Sequence, residues 1–202
     1  MGYELKSARF LARDVLTRAL RPGDTAVDAT MGNGHDTLLL CQLVGPEGRV
    51  YAFDIQEQAV SSTERLLREN GADGRAVLIH AGHERIADYV KEPVHAAVFN
   101  LGWLPGGDHS VTTRTGTTLQ AVGAALQLLA PGGVATICAY PGHLEGDRER
   151  IALKEYVRAL SNREYNVLHQ QFLNAGPGAP ECFIIQKVRR MSDKPGSGGA
   201  EK

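Results

Sequence analysis

Residues 26–37 read AVDATMGNGHDT, an apolar run that closes on Asp28 and then opens into two glycines one residue apart, Gly32 and Gly34. Glycine has no Cβ and tolerates positive φ, so such a loop can bring bare backbone up to a ligand. A second apolar run ends in Asp54, twenty residues after Gly34. At that spacing a carboxylate can accept hydrogen bonds from both hydroxyls of a ribose while the glycine loop holds the rest of a nucleoside. Thr30, Asn33, Asp36 and Gln56 belong to the same two loops and join the candidate ligand set. A dinucleotide fingerprint, G-x-G-x-x-G, would place a third glycine where this chain has Thr37. The bland alternative, a turn that only closes a β-α unit, accounts for the glycines but not for the two acids flanking them.

A second stretch with chemistry in it is FNLGWLPGGDH, residues 99–109. The amide oxygen of Asn100 can accept a hydrogen from an attacking amine, leaving the lone pair aimed at an electrophile, and Trp103 offers a flat base a surface to stack on. An amine is protonated near neutral pH, so a base has to be sought: Asp108 and Tyr140 are the candidates beside Asn100. Asp108 equally suits a turn residue bonding its own backbone, and Trp103 equally suits loop packing with its indole N–H satisfied. His109, Arg114 and His143 fall near the same crevice as candidate substrate contacts. His83, in HAGHERI, reads either as a ligand contact or as a histidine bonding a turn carbonyl. No metal is expected, since His80 and His83 lack companions at ligand spacing.

The elements that must hold these residues alternate along the chain. Strand-length apolar runs at 25–29, 49–54, 75–80, 96–100 and 134–139 are separated by helical patterns at 36–43, 57–70, 84–90, 117–129 and 147–160, and a helix at 7–20 with Ser7 as its cap precedes them. The turns GADG and APGG supply the breaks. This order predicts an α/β fold, a doubly wound and mostly parallel sheet with helices on both faces, which places both loops at the carboxyl edge where such sheets bind ligands. Runs at 165–173 and 181–188 are joined only by NAGPGAP, too short for a crossover helix, and are expected to pair antiparallel as a closing hairpin, making seven strands. Residues 1–190 are read as one domain, and 191–202, polar and glycine-rich, as a disordered tail.

Composition narrows the rest. With 22 Lys and Arg against 23 Asp and Glu the formal net charge is -1, so a nucleic-acid partner would have to be met by a local patch. Lys6, Arg9 and Arg13 share a face of the first helix, and Lys187, Arg189 and Arg190 cluster near the end; phosphate contact and ordinary solvation both fit them. Three cysteines in apolar surroundings suit reduced core thiols, and no segment is apolar enough to cross a membrane, which together point to a cytoplasmic protein. A homodimer is compatible with the sequence and not demanded by it.

The acid-glycine loop after strand one, the acid ending strand two and the final hairpin make residues 5–190 resemble the class I S-adenosylmethionine-dependent methyltransferases. The resemblance implies that Asp28, Gly32 and Gly34 line the methionine part of S-adenosyl-L-methionine, that Asp54 holds its ribose, and that His83 contacts the adenine. In members acting on amino or amide nitrogen, Asn or Asp, Pro, Pro and an aromatic follow strand four. Here the two ends survive in Asn100 and Trp103, without the prolines. More narrowly, DATMGNGHDT, YAFDIQ, NLGWLPGGDHSVTTRTGTT and AYPGHLEG resemble a small bacterial branch formerly labelled rRNA methylases. That branch is associated with the tRNA wobble uridine, which implies conversion of 5-aminomethyl-2-thiouridine to the 5-methylaminomethyl form and a tRNA anticodon region as partner. The residues themselves reach only a methyltransferase with an amine-like acceptor. A methyltransferase for a small amine, and a dinucleotide-dependent oxidoreductase or non-catalytic nucleotide-binding module, are the competing readings.

Overall fold

The computed structural model describes residues 7–176 and 178–189. The tail reading for 191–202, and the basic residues Lys6 and Arg190, lie outside them.

Ser7 caps the first helix, α1 (Ala8–Ala19), its hydroxyl accepting from the Phe10 amide at 3.2 Å. Then come β1 (Thr25–Asp28), α2 (His35–Val44), β2 (Arg49–Asp54), α3 (Glu57–Glu69), β3 (Ala76–His80), α4 (Ile86–Tyr89), β4 (Val94–Asn100), α5 (Thr115–Leu128), β5 (Leu129–Ala139), α6 (Leu144–Arg158), β6 (Tyr165–Gln170) and β7 (Glu181–Lys187). The seven strands form one sheet in the order β3-β2-β1-β4-β5-β7-β6. The first five run parallel; β7 is antiparallel to both β5 and β6. The expected fold class is therefore the one observed.

Strand residues alternate between two cores. Val27, Phe53, Ala97 and Phe99 face one side, packed with Ile86, Leu126 and Leu153 from α4, α5 and α6. Ala26, Val50, Ala96 and Val98 face the other, packed with Leu16, Leu40 and Leu67 from α1, α2 and α3. Both faces of the parallel strands are thus buried, as crossover helices require.

Boundaries differ from expectation in instructive places. The APGG turn lies inside β5: pairing with β4 jumps from Val94–Leu129 to Ala96–Val134, so residues 130–133 bulge from a strand that starts five residues early. The helix expected from 84 is a 3₁₀ turn, His83–Arg85, followed by the short α4. The last helix begins at Leu144, with His143 as its cap, three residues before the expected start.

The crossing point of the strand order, between β1 and β4, is where a doubly wound sheet opens a crevice at its carboxyl edge. The loops after β1, β2, β4 and β5 converge there.

Candidate active site

The loop after β1 is shaped by its glycines. Gly34 sits at φ +83° as the cap of α2, and a Cβ there would stand 2.9 Å from Thr63 Cα. Only glycine lets α2 and α3 approach so closely. Thr63 also donates its hydroxyl to the Gly32 carbonyl at 3.1 Å, so α3 holds the loop from behind. Asp54, at the tip of β2, accepts from the Gly32 amide at 3.1 Å with Oδ2 and from the Gln56 amide at 3.0 Å with Oδ1. One carboxylate thereby ties the two loops expected to grip a nucleoside.

These loops and the segment after β4 enclose a cavity of about 520 Å³, within the range of small-molecule sites. Of the residues singled out in the sequence, Thr30, Gly32, Asn33, Asp36, Asp54, Gln56, His83, Asn100, Trp103, Arg114, Tyr140 and His143 line it. Five others do not. Asp28 is fully buried beneath the loop, where it accepts from the Thr37 hydroxyl at 2.7 Å and the Thr30 amide at 3.2 Å. Asp28 and Thr37 therefore brace the loop from below and do not line the cavity, and Gly34 serves helix packing. Burial, then the nearby charge of Asp36, pushes the Asp28 carboxyl up to about 7. His83 is buried too, its charged form disfavoured mainly by desolvation.

Asp108 and His109 stand outside the cavity wall. Asp108 is exposed and accepts from the Ser110 amide at 2.8 Å, a bond that holds its carboxyl below the usual carboxylate range. It is a turn residue, and the base role expected of it does not fit. Tyr140 does line the cavity, but burial pushes its phenol up to about 12, so it keeps its proton and can donate a hydrogen bond, not act as the base. His109 stacks on Trp103 at 4.5 Å and 19°. His143 approaches the same indole at 4.5 Å and 47°. Trp103, 37% exposed, is therefore a presented ring flanked by two imidazoles and not a core tryptophan.

At the centre is Asn100. Its backbone amide donates to Thr30 Oγ1 at 2.7 Å and its side-chain Nδ2 donates to Asp36 Oδ2 at 2.7 Å. A carboxylate only accepts, so Asp36 fixes which end of the amide faces it. The carbonyl end, Oδ1, is buried and has no hydrogen-bond partner among the described residues. A buried acceptor without a donor costs about 1–3 kcal/mol, so a ligand that brings a donor recovers that energy. Asp36 itself is saturated: Arg9 grips Oδ2 through Nε at 3.1 Å and Nη2 at 2.8 Å, and Arg13 grips Oδ1 at 2.7 Å. Arg9 and Arg13, for which phosphate contact and solvation both fitted the sequence, are engaged on this carboxylate. Lys187 is likewise committed, donating to the Gln127 and Leu129 carbonyls.

The segment after β4 is anchored by residues that sequence reasoning passed over. Thr113 Oγ1 accepts from the Gly102 amide at 2.8 Å and donates to Glu149 at 2.7 Å; Thr118 also donates to Glu149, at 2.6 Å. Glu145 accepts from the Thr115 amide and hydroxyl, both at 2.9 Å. Burial raises the Glu149 carboxyl against these hydrogen bonds. Glu145 and Glu149 stand one helical turn apart on α6, a spacing that marks a shared face; but charged helix residues ordinarily read as solvated, and only the fold shows Glu149 buried.

A parallel sheet closed by an antiparallel hairpin, with an acid-tied glycine loop and a polar residue at the end of β4, defines a class I methyltransferase. The family model described as "Putative rRNA methylase" matches residues 50–186, and the chain belongs to that family. It is 37% identical over 192 residues, 90% of this chain and 70% of the relative, to the chloroplastic tRNA (mnm(5)s(2)U34)-methyltransferase of Arabidopsis thaliana. Among solved structures it is similar to a "putative rRNA-methylase" from Clostridium thermocellum, at 38% identity and TM-score 0.90 over 92% of this chain and all of that one. A "putative methyltransferase" from Streptococcus mutans solved in complex with SAH matches at 39% identity and TM-score 0.84, with the same coverage. The protein is an S-adenosylmethionine-dependent methyltransferase. The oxidoreductase and non-catalytic readings fall with that finding.

Proposed function

We propose that this enzyme methylates the aminomethyl nitrogen of wobble 5-aminomethyl-2-thiouridine in tRNA, producing the 5-methylaminomethyl form. The observation that carries the reading is the orphaned, buried Oδ1 of Asn100 in a cavity wall, with its orientation set by Asp36. Such an acceptor suits an N–H of a neutral amine. The relative from Arabidopsis, which aligns with most of this chain, bears a name for that tRNA position and supports the same substrate.

S-adenosylmethionine supplies, when bound, a methyl group on a positively charged sulfur. The residues present fit it: Asp54 would take the ribose hydroxyls, the loop around Gly32 offers bare backbone, and His83 and Gln56, which line the same cavity, would face the nucleoside. Asn100 holds one N–H of the incoming amine and so orients its lone pair. Trp103 gives the base its stacking surface, with Tyr140 as a further donor. The nitrogen–carbon bond forms as the carbon–sulfur bond breaks, the electron pair going to sulfur, and the extra proton on nitrogen passes to solvent. No described side chain in the cavity is needed as a strong base, because the amine must enter neutral and alignment supplies most of the acceleration. Arg9 stands in the same wall with its guanidinium on Asp36, and a cation there disfavours an ammonium neighbour.

The test is methyl transfer from labelled S-adenosylmethionine to two tRNAs, one bearing 5-aminomethyl-2-thiouridine and one unmodified. Transfer only to the first, with 5-methylaminomethyl-2-thiouridine found on nucleoside mass analysis, is the expected result. Equal transfer to both, or transfer only to a small amine, would overturn the substrate assignment.

A further inference from the structure

The aromatic surface of the cavity does not stop at its wall. Trp103 lines the cavity and His109 does not, yet the two rings stack at 4.5 Å and 19°. The segment that carries them is built as a small hairpin. Trp103 and Thr112 pair antiparallel, and the Thr113 amide donates to the Gly102 carbonyl at 3.0 Å. Inside it the Gly107 amide donates to the Leu104 carbonyl at 2.9 Å and the Val111 amide to the Asp108 carbonyl at 3.1 Å, while Asp108 Oδ1 accepts from the Ser110 amide. Asp108 thus shapes the turn that carries His109. The imidazole is exposed, so with one face on the indole it meets solvent with the other.

At the foot of the hairpin stands Arg114, which lines the cavity and is exposed, a position at the mouth. Arg9 and Arg13 are held on Asp36. The Arg114 guanidinium, by contrast, makes no hydrogen bond or ion pair with a described residue. Glu145, the acid close enough to feel its charge, is occupied by the Thr115 amide and hydroxyl and by Arg148. A flat ring with an open face and an uncommitted guanidinium therefore stand together at the entrance. A nucleotide offers a partner to both, a base to the ring and a phosphate to the cation. A small amine offers neither.

We propose that the 103–114 hairpin is an RNA-reading surface for a nucleotide flanking the target, whose base stacks on the open face of His109 and whose phosphate pairs with Arg114. This rests on the substrate reading above. The wobble base has to leave its neighbours to enter the cavity, and those neighbours, joined to it through phosphates, stay outside at the mouth. His109 replaces the stacking that one of them loses, and Arg114 neutralises a linking phosphate. Stacking of a base on an aromatic ring is worth roughly 5- to 150-fold in binding, so the enzyme acts on the base within its chain in preference to the free nucleoside.

The experiment uses three anticodon stem-loop RNAs carrying 5-aminomethyl-2-thiouridine: one intact, one abasic at the 5′ neighbour and one abasic at the 3′ neighbour. For the wild-type enzyme one abasic RNA should have a kcat/KM roughly 5- to 150-fold below that of the intact RNA. On His109→Ala the same gap should shrink to within about twofold, and His109→Phe, which keeps a flat ring, should restore it. For Arg114→Gln on the intact RNA, the fall of log kcat/KM with log salt should be shallower by about 0.7, the share of one phosphate on a single strand. Melting temperatures and S-adenosylhomocysteine affinities near the wild-type values certify that fold and cofactor site are intact. Wild-type enzyme indifferent to both abasic RNAs, an abasic penalty that persists in His109→Ala, or an unchanged salt slope in Arg114→Gln overturns the role of the hairpin and leaves the amine-methylating reading standing. Wild-type enzyme that methylates none of the three RNAs overturns the substrate reading, and this inference with it.

Discussion

Asp36→Asn tests whether orientation of the Asn100 amide is what the Arg9–Asp36–Arg13 cluster is for. In the wild-type structure the carboxylate accepts from both guanidinium groups and from Asn100 Nδ2. An asparagine at position 36 keeps a single acceptor, and because Arg9 and Asn100 share Oδ2 while Arg13 holds Oδ1, that acceptor serves either Arg9 with Asn100 or Arg13 alone. With its oxygen on Arg13 the NH₂ faces the Asn100 NH₂, which cannot bond it, and Asn100 is driven to flip; with its oxygen on Arg9 the bond to Asn100 survives only without its charge, so either way the hold on the amide weakens. The charge-assisted bond is worth about 1.5–3 kcal/mol and a neutral one about 1, so between about 0.5 and 3 kcal/mol is lost. At about 1.4 kcal/mol per factor of ten, the competent orientation becomes about 2- to 150-fold rarer. Turnover on amine-bearing tRNA should fall by that factor. Cofactor affinity, on the proposed hold at Asp54, should change by less than about threefold, a gap of under ~0.7 kcal/mol. Single-turnover methylation gives the first quantity and calorimetry with S-adenosylhomocysteine the second, with a melting curve to certify the fold. If Asp36→Asn methylates at the wild-type rate, or loses cofactor affinity while the rate at saturation is unchanged, the orienting role is wrong.

Three other substitutions probe the frame around this centre. Asp54→Ala removes the carboxylate that accepts from the Gly32 and Gln56 amides, so cofactor binding measured by calorimetry should weaken by about 1–3 kcal/mol; an unchanged affinity would place the ribose elsewhere. Gly34→Ala forces a Cβ to 2.9 Å from Thr63 Cα at a φ of +83°, and about 1–2 kcal/mol of left-handed strain plus about 1–3 of overpacking should lower the melting temperature by roughly 5–15 °C. Asp28, pushed up to about 7 by burial first and Asp36 second, binds a proton in the folded chain between about pH 4 and 7 that the unfolded chain has released, so its effect on stability worsens as pH rises through that window. Asp28→Asn lacks this loss. Its stability relative to wild type, from urea unfolding, should therefore climb by about 1–4 kcal/mol between pH 4 and 7 and level off above, whereas a difference independent of pH would show that Asp28 is ionised throughout.

The fold was legible because its signals are local. Apolar runs of strand length, glycine-bearing turns and a seven-residue link between the last two runs specify alternation and a closing hairpin without any knowledge of partners. The start of β5 was not, because residues 130–133 read as a turn by composition and become part of a strand only by lying beside Val94 and Ala96 of β4. The site divides in the same way. Gly32, Asp54, Asn100 and Trp103 could be picked out, since each sits at the end of a strand where a doubly wound sheet exposes its loops. The connections among them could not. Asp36 looked like a loop acid beside the glycines, yet it is held from α1, 23 and 27 residues back along the chain, and acts on Asn100, 64 residues ahead. Asp108 and Glu149 make the sharpest contrast, two acids near one segment whose roles the sequence ranks the wrong way round. The acid flanked by glycines in PGGDHS is an exposed turn residue, while the one in the charged run GDRER is buried and holds Thr113 and Thr118. Residue type and spacing report what a group can do, but burial decides whether it is left free to do it, and burial is set by elements far away in sequence. The chemistry of this site therefore depends on α1 and α6, neither of which carries a recognisable motif of its own: one orients the Asn100 amide, and the other fixes the loop that carries Trp103.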